Sequence, residues 1–315
     1  MKVLVTGGAG FIGSNLVGRL LERGDEVRVF DNFSTGRRAN LAGLESQLEI
    51  VEGDLRRFEQ IRAATRGVEL VFHQGARPSV PLSLRDPRTT SSVNVLGTRN
   101  LLLAARDESV KRIVLASSSS IYGNSGGLPR RESDRPAPIS PYAVSKLVAE
   151  LQGVGFSRMY SLETVMLRYF NVFGPNQEHW SPYAAVIPRF ISTLASGDPV
   201  PIHGDGTQLR DFTYVTDVVE ANLLASEAAG VSGEVVNVAG GRPETINALA
   251  DGIGDILDRT VERQYLPARP GEVRDSWADI GKARRLLRYE PRVPLEEGLR
   301  LAANALLAGP LRQAV

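Results

Sequence analysis

Val3-Leu-Val-Thr-Gly-Gly-Ala-Gly-Phe-Ile-Gly13 is the stretch on which the fold of this 315-residue chain turns. An apolar run beginning at Val3 passes without a break into glycines at 7, 10 and 13. Gly7 permits a tight turn, Gly10 lets backbone approach a pyrophosphate, and Gly13 allows a helix to pack closely on a strand. A helix starting at Ile12 then aims its first N–H groups, those of Phe11 and Ile12 among them, at the phosphates. Glycine-rich turns are frequent, so the weight lies in the context. A strand precedes the triplet, a helix follows it, and Asp31 stands at the end of the next strand, 18 residues beyond Gly13. A carboxylate there binds adenosine ribose hydroxyls and repels a 2′-phosphate, which points to NAD rather than NADP; Arg37 and Arg38 nearby weaken that preference. The plain alternative for Asp31 is a solvated turn residue.

Outward from this loop, short apolar runs alternate with amphipathic stretches. Val3–Val5, Glu26–Phe30, Leu48–Val51, Leu70–Phe72, Arg112–Ala116 and Thr164–Arg168 read as strands. Ile12–Arg23, Phe58–Thr65, Ser91–Arg106 and Pro141–Tyr160 read as helices. Apolar strands separated by helices predict a Rossmann-like, doubly wound parallel sheet, an α/β fold. From about Asn171 the rhythm breaks: Pro175, Pro182, Pro188, Pro199 and Pro201 come close together among Trp180, Tyr183 and Phe190. A strand at Val235–Ala239, a helix at Thr245–Leu257 and a Pro/Arg-rich segment at Leu266–Val273 follow. The expected division is a cofactor-binding domain over 1–170, to which strand 235–239 returns, and a smaller substrate-binding lobe over 171–315 whose tail after Ala308 frays.

Composition narrows the chemistry. A net charge of +1 gives no electrostatic case for nucleic acid or an anionic membrane. With no cysteine there is no thiolate nucleophile or zinc–thiolate cluster, and His73, His179 and His203 have no paired spacing, so no metal site is expected. The N-terminus shows no charged leader or cleavage site and no apolar run reaches the ~20 residues of a membrane span, so a cytoplasmic protein is expected.

Candidate chemistry lies in Ser140-Pro-Tyr-Ala-Val-Ser-Lys146, which puts Tyr142 and Lys146 one helical turn apart on one face. A phenol titrates near ~10, and a nearby cation pulls it toward the neutral range that a general base needs. The strand Ile113–Ala116 ends in Ser117-Ser-Ser-Ser-Ile-Tyr-Gly123, where a hydroxyl is well placed for catalysis, the alternative being a serine-rich loop. Asp54 in Gly53-Asp54-Leu55 is placed to meet an adenine amino group, and Asn94 has a bland reading as a helix-internal hydrogen bonder.

Glycine loop, then serine, then Tyr142-x-x-x-Lys146 resembles the extended short-chain dehydrogenase/reductases that act on nucleotide sugars, over about the first 300 residues. The resemblance implies Tyr142 as acid/base, Lys146 as ribose ligand and pKa depressor, and Ser118 as the hydroxyl on the reacting oxygen, Ser119 being the fallback. Ser118 is chosen because it lies four residues before Tyr122 of the Tyr122-Gly123 pair. For NAD the resemblance implies contacts from Gly7, Gly10, Phe11, Ile12, Gly13, Asp31, Asn32, Thr35, Gly36, Asp54, Leu55, Gln74, Gly75, Ala76, Asn94, Ser117 and Phe170.

Dehydratases and decarboxylases of this group carry an acidic residue two positions before that tyrosine; here Ser119 and Ser120 stand instead. The chain therefore looks like a UDP-hexose 4-epimerase, with a UDP-glucuronate 4-epimerase as nearest rival and a non-catalytic NAD sensor as a remote one. Arg168-Tyr-Phe-Asn-Val-Phe-Gly-Pro175, Tyr183-Ala-Ala-Val-Ile-Pro-Arg189, Arg210-Asp-Phe and Arg269-Pro-Gly-Glu272 resemble segments that hold the nucleotide. They imply Asn171, Ala185, Val186, Arg189, Arg210, Arg269 and Glu272 on the UDP, and the resemblance adds Ile202 and His203 as substrate contacts. Arg77, Ser79, Ser118, Ser119 and Tyr142 are implied on the sugar, with Ser276 where glucose/galactose-restricted relatives have a tyrosine. A small Ser276 leaves room for a 2-acetamido group, so UDP-N-acetylglucosamine is expected beside UDP-glucose. The loop Phe72–Ser83 agrees, although Arg77 departs from the small residue of some such enzymes. The resemblance also implies a homodimer built from the helices at Ser91–Arg106 and Pro141–Tyr160.

Overall fold

The computed structural model describes residues 1–178 and 184–308; His179, Trp180, Pro182, Tyr183 and the tail after Ala308 lie outside the described residues. Seven parallel strands form the central sheet in the order Glu234–Val238, β6 (Glu163–Tyr169), β5 (Arg112–Ser118), β4 (Leu70–His73), β1 (Lys2–Thr6), β2 (Glu26–Asp31) and β3 (Leu48–Glu52). Short strands β7 (Val172–Phe173), β8 (Val200–His203), β9 (Leu209–Asp211) and β10 (Thr213–Tyr214) come next in the chain, which makes Glu234–Val238 β11. They are followed by β12 (Pro243–Thr245), antiparallel to β9, and β13 (Arg263–Leu266), parallel to β8.

Each strand of the first half falls within a residue or two of the apolar run that predicts it, because both faces of a parallel sheet are covered and its strands must be apolar throughout. Helix α1 (Phe11–Glu22) lies on one face, with a core of Leu16, Val17, Leu20, Val29 and Val218. Helices α2 (Phe58–Thr65) and, further on, Gly97–Asp107 lie on the other, with Ile61, Leu101, Leu102 and Ile113.

The stretch expected as a helix at Ser91–Arg106 is helical throughout and carries a π-helical turn within it. Asp86 Oδ1 accepts from Thr89 N at 3.0 Å and starts a new helix, so α3 (Val80–Arg85) and α4 (Pro87–Ser91) precede a π-helical turn, Ser92–Leu96, before α5 (Gly97–Asp107). After α6 (Pro141–Met159) and α7 (Val186–Ser196), the chain forms α8 (Val215–Glu227), which packs on α1. Helices α9 (Ile246–Leu257), α10 (Gly281–Leu287) and α11 (Leu295–Ala308) complete it. A separate apolar cluster of Ile191, Leu194, Val200, Phe212, Leu249 and Ile253 sits among α7, α9 and the short strands. Among the described residues no helix is long and apolar enough to cross a membrane.

Candidate active site

All seven strands of the parallel sheet point the same way, so the residues that follow β1, β2, β4 and β5 gather at one edge. The order of strand addition reverses between β1 and β4, and the crevice above that switch is where open α/β sheets bind ligands. Gly7 adopts φ +68°, and a Cβ there would lie 2.6 Å from Gly75 Cα, so the loops after β1 and β4 touch backbone to backbone. A Cβ on Gly13 would fall inside the Gly7 carbonyl oxygen. Gly10 N-caps α1 with no side-chain cap and no acidic residue in the first turn. The leading N–H groups of the helix, with their partial positive charge, are left for an anion.

Asp31 is buried at the end of β2, its Oδ2 accepting from Ala9 N at 3.0 Å and its Oδ1 from Phe33 N at 2.9 Å. Burial pushes its carboxyl above the ordinary value against these two bonds. Gly36 is buried against it, while Asn32 and Thr35 are exposed on the same loop. Arg38 pairs with Glu52 at 2.6 Å and stacks on Phe33, a contact that draws it away from the ribose position. Asp54 is held by Arg56, whose Nε lies 3.0 Å from both carboxylate oxygens and keeps the carboxyl below its usual range. The glycine cradle, the uncapped helix and Asp31 fit a dinucleotide, with the pyrophosphate over α1 and the adenosine ribose at Asp31.

On the other side of the switch, Ser140 Oγ caps α6 by accepting from Ala143 N at 3.2 Å, with Pro141 preset at the first position. That cap places Tyr142 and, one turn on, Lys146 over the end of β5. Ser118 Oγ caps the 3₁₀ turn Ser119–Tyr122, accepting from Ser120 N at 3.2 Å, lies 2.9 Å from Ser120 Oγ and hydrogen-bonds the Tyr142 phenol. The sequence predicts a tyrosine whose pKa is pulled down; here burial raises it, with the Ser118 bond opposing. Lys146 is itself buried, which lowers it to about 8 with the Glu150 carboxylate opposing, so the cation meant to act on the phenol is desolvated too.

The loop after β4 is fixed from below. Asn94, buried in the π-helical turn, accepts from Arg77 N through Oδ1 at 2.7 Å and donates through Nδ2 to Ser145 Oγ at 2.9 Å. It anchors the neighbouring loop rather than its own helix, and a π-helical turn at such a place is a frequent mark of function. His73 is buried between Thr6 Oγ1, 2.7 Å from Nδ1, and Thr98 Oγ1, 2.9 Å from Nε2. Thr98 donates onward to Asn94 O at 2.7 Å, so Nε2–H donates to Thr98 and Thr6 donates to Nδ1. Burial, with Lys146 nearby, holds His73 at about 3, hence neutral. Gln74 Nε2 donates to Tyr169 Oη at 3.1 Å and Asn222 Oδ1 at 3.0 Å; Gly75 N donates to Thr6 Oγ1 at 3.2 Å, followed by Ala76.

Two residues implied by resemblance are fully enclosed. Phe170 and Ile202 have no exposed surface: the first packs on Tyr122 behind the site, and the second fills the apolar cluster under α7. In β8 burial alternates, so it is His203 that turns outward, its Nδ1 3.0 Å from Pro267 O. Ser117 also turns inward, donating to Glu150 Oε2 at 2.8 Å, which leaves its backbone as what it offers a cofactor. Leu55 is buried against Gly75 and Gly97.

In the second half, Asn171 sits at φ +33° and donates through Nδ2 to Asp211 O at 3.1 Å. Arg210 spends its guanidinium on carbonyls, with Nη1 2.8 Å from Leu209 O and Nη2 2.9 Å from Val273 O. Arg269 Nη1 lies 3.4 Å from Glu272 Oε1, and the positive charge of Arg269 together with burial lowers the partly buried Arg189. Ala185 and Val186 open α7, again without a side-chain cap. Arg77 Nη1 lies 3.5 Å from Asp86 Oδ2, and Ser79 Oγ caps α3 by accepting from Leu82 N at 3.2 Å. Ser276 is buried, its backbone bridged to β9 through Asp211 N–H···O at 2.8 Å and its own N–H to Leu209 O at 3.0 Å. The residues that sequence reasoning passes over are Glu150, Arg168, Thr6 and His73; for Glu150 a signal was present, since it repeats the Tyr142–Lys146 spacing once more.

The family model described as the NAD dependent epimerase/dehydratase family matches residues 3–239. A putative UDP-glucose 4-epimerase of Methanocaldococcus jannaschii is 38% identical over 304 residues, covering 96% of this chain and 97% of that protein. The crystal structure of a Thermotoga maritima UDP-glucose 4-epimerase with UDP-glucose superposes with a TM-score of 0.93 at 38% identity, over 98% of this chain and 99% of the other. A UDP-N-acetylglucosamine 4-epimerase from Methanobrevibacter ruminantium, in complex with UDP-N-acetylmuramic acid, matches with a TM-score of 0.93 at 38% identity, over 98% of each chain.

Proposed function

The chain belongs to the NAD dependent epimerase/dehydratase family, and from that premise we propose that it interconverts UDP-hexoses at C4, taking both glucose/galactose and 2-acetamido sugars. The observation that carries this reading is the turn facing Tyr142. It presents the hydroxyls of Ser118, Ser119 and Ser120 and no carboxylate, so no acid stands there to drive elimination or loss of carbon dioxide.

Tyr142, ionised, removes the proton of the sugar 4-OH, with Ser118 beside the phenol to donate to the reacting oxygen. Bound NAD⁺ supplies the hydride acceptor for C4 and a positive charge that favours the phenolate. Lys146 adds its own charge and orients the nicotinamide ribose. The 4-keto sugar would turn about its bond to the diphosphate to present its opposite face, and Tyr142 would return the proton to the C4 oxygen as the reduced cofactor gave the hydride back. An anchored diphosphate makes that turn possible without release. Arg189, whose charge is disfavoured by burial and by the neighbouring Arg269, is relieved by an anion beside it. We expect Arg189→Ala and Arg269→Ala each to raise KM for the UDP-sugar by about ten- to a hundredfold, the worth of a charged hydrogen bond, with kcat much less affected. An equal fall in kcat with KM unchanged would remove them from the diphosphate.

One experiment tests the function: UDP-glucose, UDP-N-acetylglucosamine and UDP-glucuronate are each incubated with protein and NAD⁺, and the products are separated by chromatography. Epimers of the first two are expected. A 4-keto-6-deoxy product or a pentose would replace this reading with a dehydratase or decarboxylase, and turnover of the glucuronate alone with a uronate epimerase. Ser276→Tyr should abolish turnover of the acetamido sugar while sparing UDP-glucose; equal loss of both would refute the open-pocket argument.

A further inference from the structure

Glu150, Arg168 and Ser117 form a buried assembly that the reaction described above does not use. Glu150 and Arg168 are 4% and 3% exposed, so two full charges lie in the interior. Arg168 grips the carboxylate with both arms, Nη2 to Oε1 at 2.7 Å and Nε to Oε2 at 3.0 Å, while Ser117 Oγ donates to Oε2 at 2.8 Å. The remaining arm of Arg168 reaches Tyr122 Oη at 2.7 Å, and that phenol donates to Asn237 Oδ1 at 2.6 Å. The cluster thus joins α6, the end of β5, β6, the 3₁₀ turn and β11.

Burying such a pair is costly unless it does something more than pair, since apolar residues of like volume often serve stability as well. Glu150 is one helical turn beyond Lys146 and two beyond Tyr142, on one face of α6. The charged and titratable groups around Lys146 are Tyr142 and Glu150 on its own helix, neutral His73 at the end of β4 and, behind Glu150, Arg168 on β6; β5 brings the hydroxyls of Ser117 and Ser118, and the π-helical turn brings uncharged Asn94. Glu150 is therefore the one negative charge in that group.

We propose that Glu150 is a positioning residue of the catalytic centre: clasped by Arg168 and Ser117, it keeps the buried Lys146 protonated beside Tyr142. The clasp matters as much as the charge. Ser117 and Ser118 are consecutive at the end of β5, so the carboxylate that favours the lysine's charge also holds the strand end that presents Ser118. This inference rests on the role proposed above for Lys146, and its test needs no substrate.

The chain has four lysines, and the other three are ion-paired near the surface: Lys2 to Glu26 at 2.6 Å, Lys111 to Glu69 at 2.7 Å and Lys282 to Glu234 at 2.7 Å. Isotope-labelled lysine in the full chain thus yields four side-chain NMR signals, and Lys146→Met identifies the one that titrates near 8. Followed with pH, without and with saturating NAD⁺, that signal should titrate about one unit or more lower in Glu150→Gln, the shift expected for loss of a nearby opposite charge. Ser117→Ala keeps both charges and removes one hydroxyl; with the carboxylate held less firmly, the Lys146 signal should also titrate below wild type, by less than in Glu150→Gln. Downward displacements in both variants support the clasp, an upward one in Ser117→Ala overturns it, and Ser117→Ala decides alone if Glu150→Gln does not fold. An unmoved signal in a folded variant overturns the proposal. If wild type turns over no UDP-sugar, the functional reading fails while the lysine titration still decides this one.

Discussion

Tyr142→Phe is expected to cut turnover of the UDP-sugar by about 10²–10⁴-fold, the range typical of a general acid–base residue, while leaving the fold and NAD affinity intact. The substitution removes one oxygen and keeps the ring, so the packing at the start of α6 survives. That oxygen costs more to ionise in its buried place than in water, and only Ser118 offsets the burial from within the phenol's own hydrogen bonds. Stability should accordingly be unchanged or slightly raised. Single-turnover rates, NAD titration by fluorescence and thermal unfolding measure the three quantities separately. Turnover near that of wild type would remove Tyr142 from the chemistry, and a parallel loss of NAD binding would make it a cofactor ligand instead.

Gly13→Ala is the second large effect. A methyl group there would run into the Gly7 carbonyl oxygen and crowd Gly8 Cα at 2.9 Å, so backbone must move. Overpacking of this kind costs about 1–3 kcal/mol, and the loop that yields is the one that cradles the pyrophosphate. NAD affinity should fall by roughly 5- to 150-fold, at tenfold per 1.4 kcal/mol. Gly18 on the same helix is the control: a Cβ there meets nothing within 4 Å. Gly18→Ala should leave NAD affinity unchanged and stabilise the helix by up to about 1 kcal/mol. If both variants bind NAD like wild type, the close approach of α1 to the loop is not what holds the cofactor.

Reading these residues from sequence succeeded where the signal is local. Parallel strands buried on both faces announce themselves as unbroken apolar runs, and an i, i+4 pair needs only a helix to bring it together. The 3.6-residue pattern from Ser91 to Arg106 marks a real helix but conceals the π-helical turn Ser92–Leu96, which leaves the helical backbone unbroken. Helix α8 went unread, since Val215–Glu227 is buried along most of its length and shows little periodicity. The full burial of Phe170 and Ile202 is illegible in the sequence for a different reason. Resemblance carries a position across but not the burial of its side chain, and both are walled in by residues distant in the chain.

By itself the sequence determined the sheet, the glycine cradle and the pairing of Tyr142 with Lys146, because each depends on residues within a few positions of one another. Tertiary structure decided which hydroxyl reaches the phenol, that burial raises the tyrosine and lowers the lysine, and that a carboxylate 18 residues from its arginine sits behind both. The physical reason is common to all three. Desolvation and long-range hydrogen bonds depend on what surrounds a group in space, and that is settled only when β5, β6 and α6 have packed together.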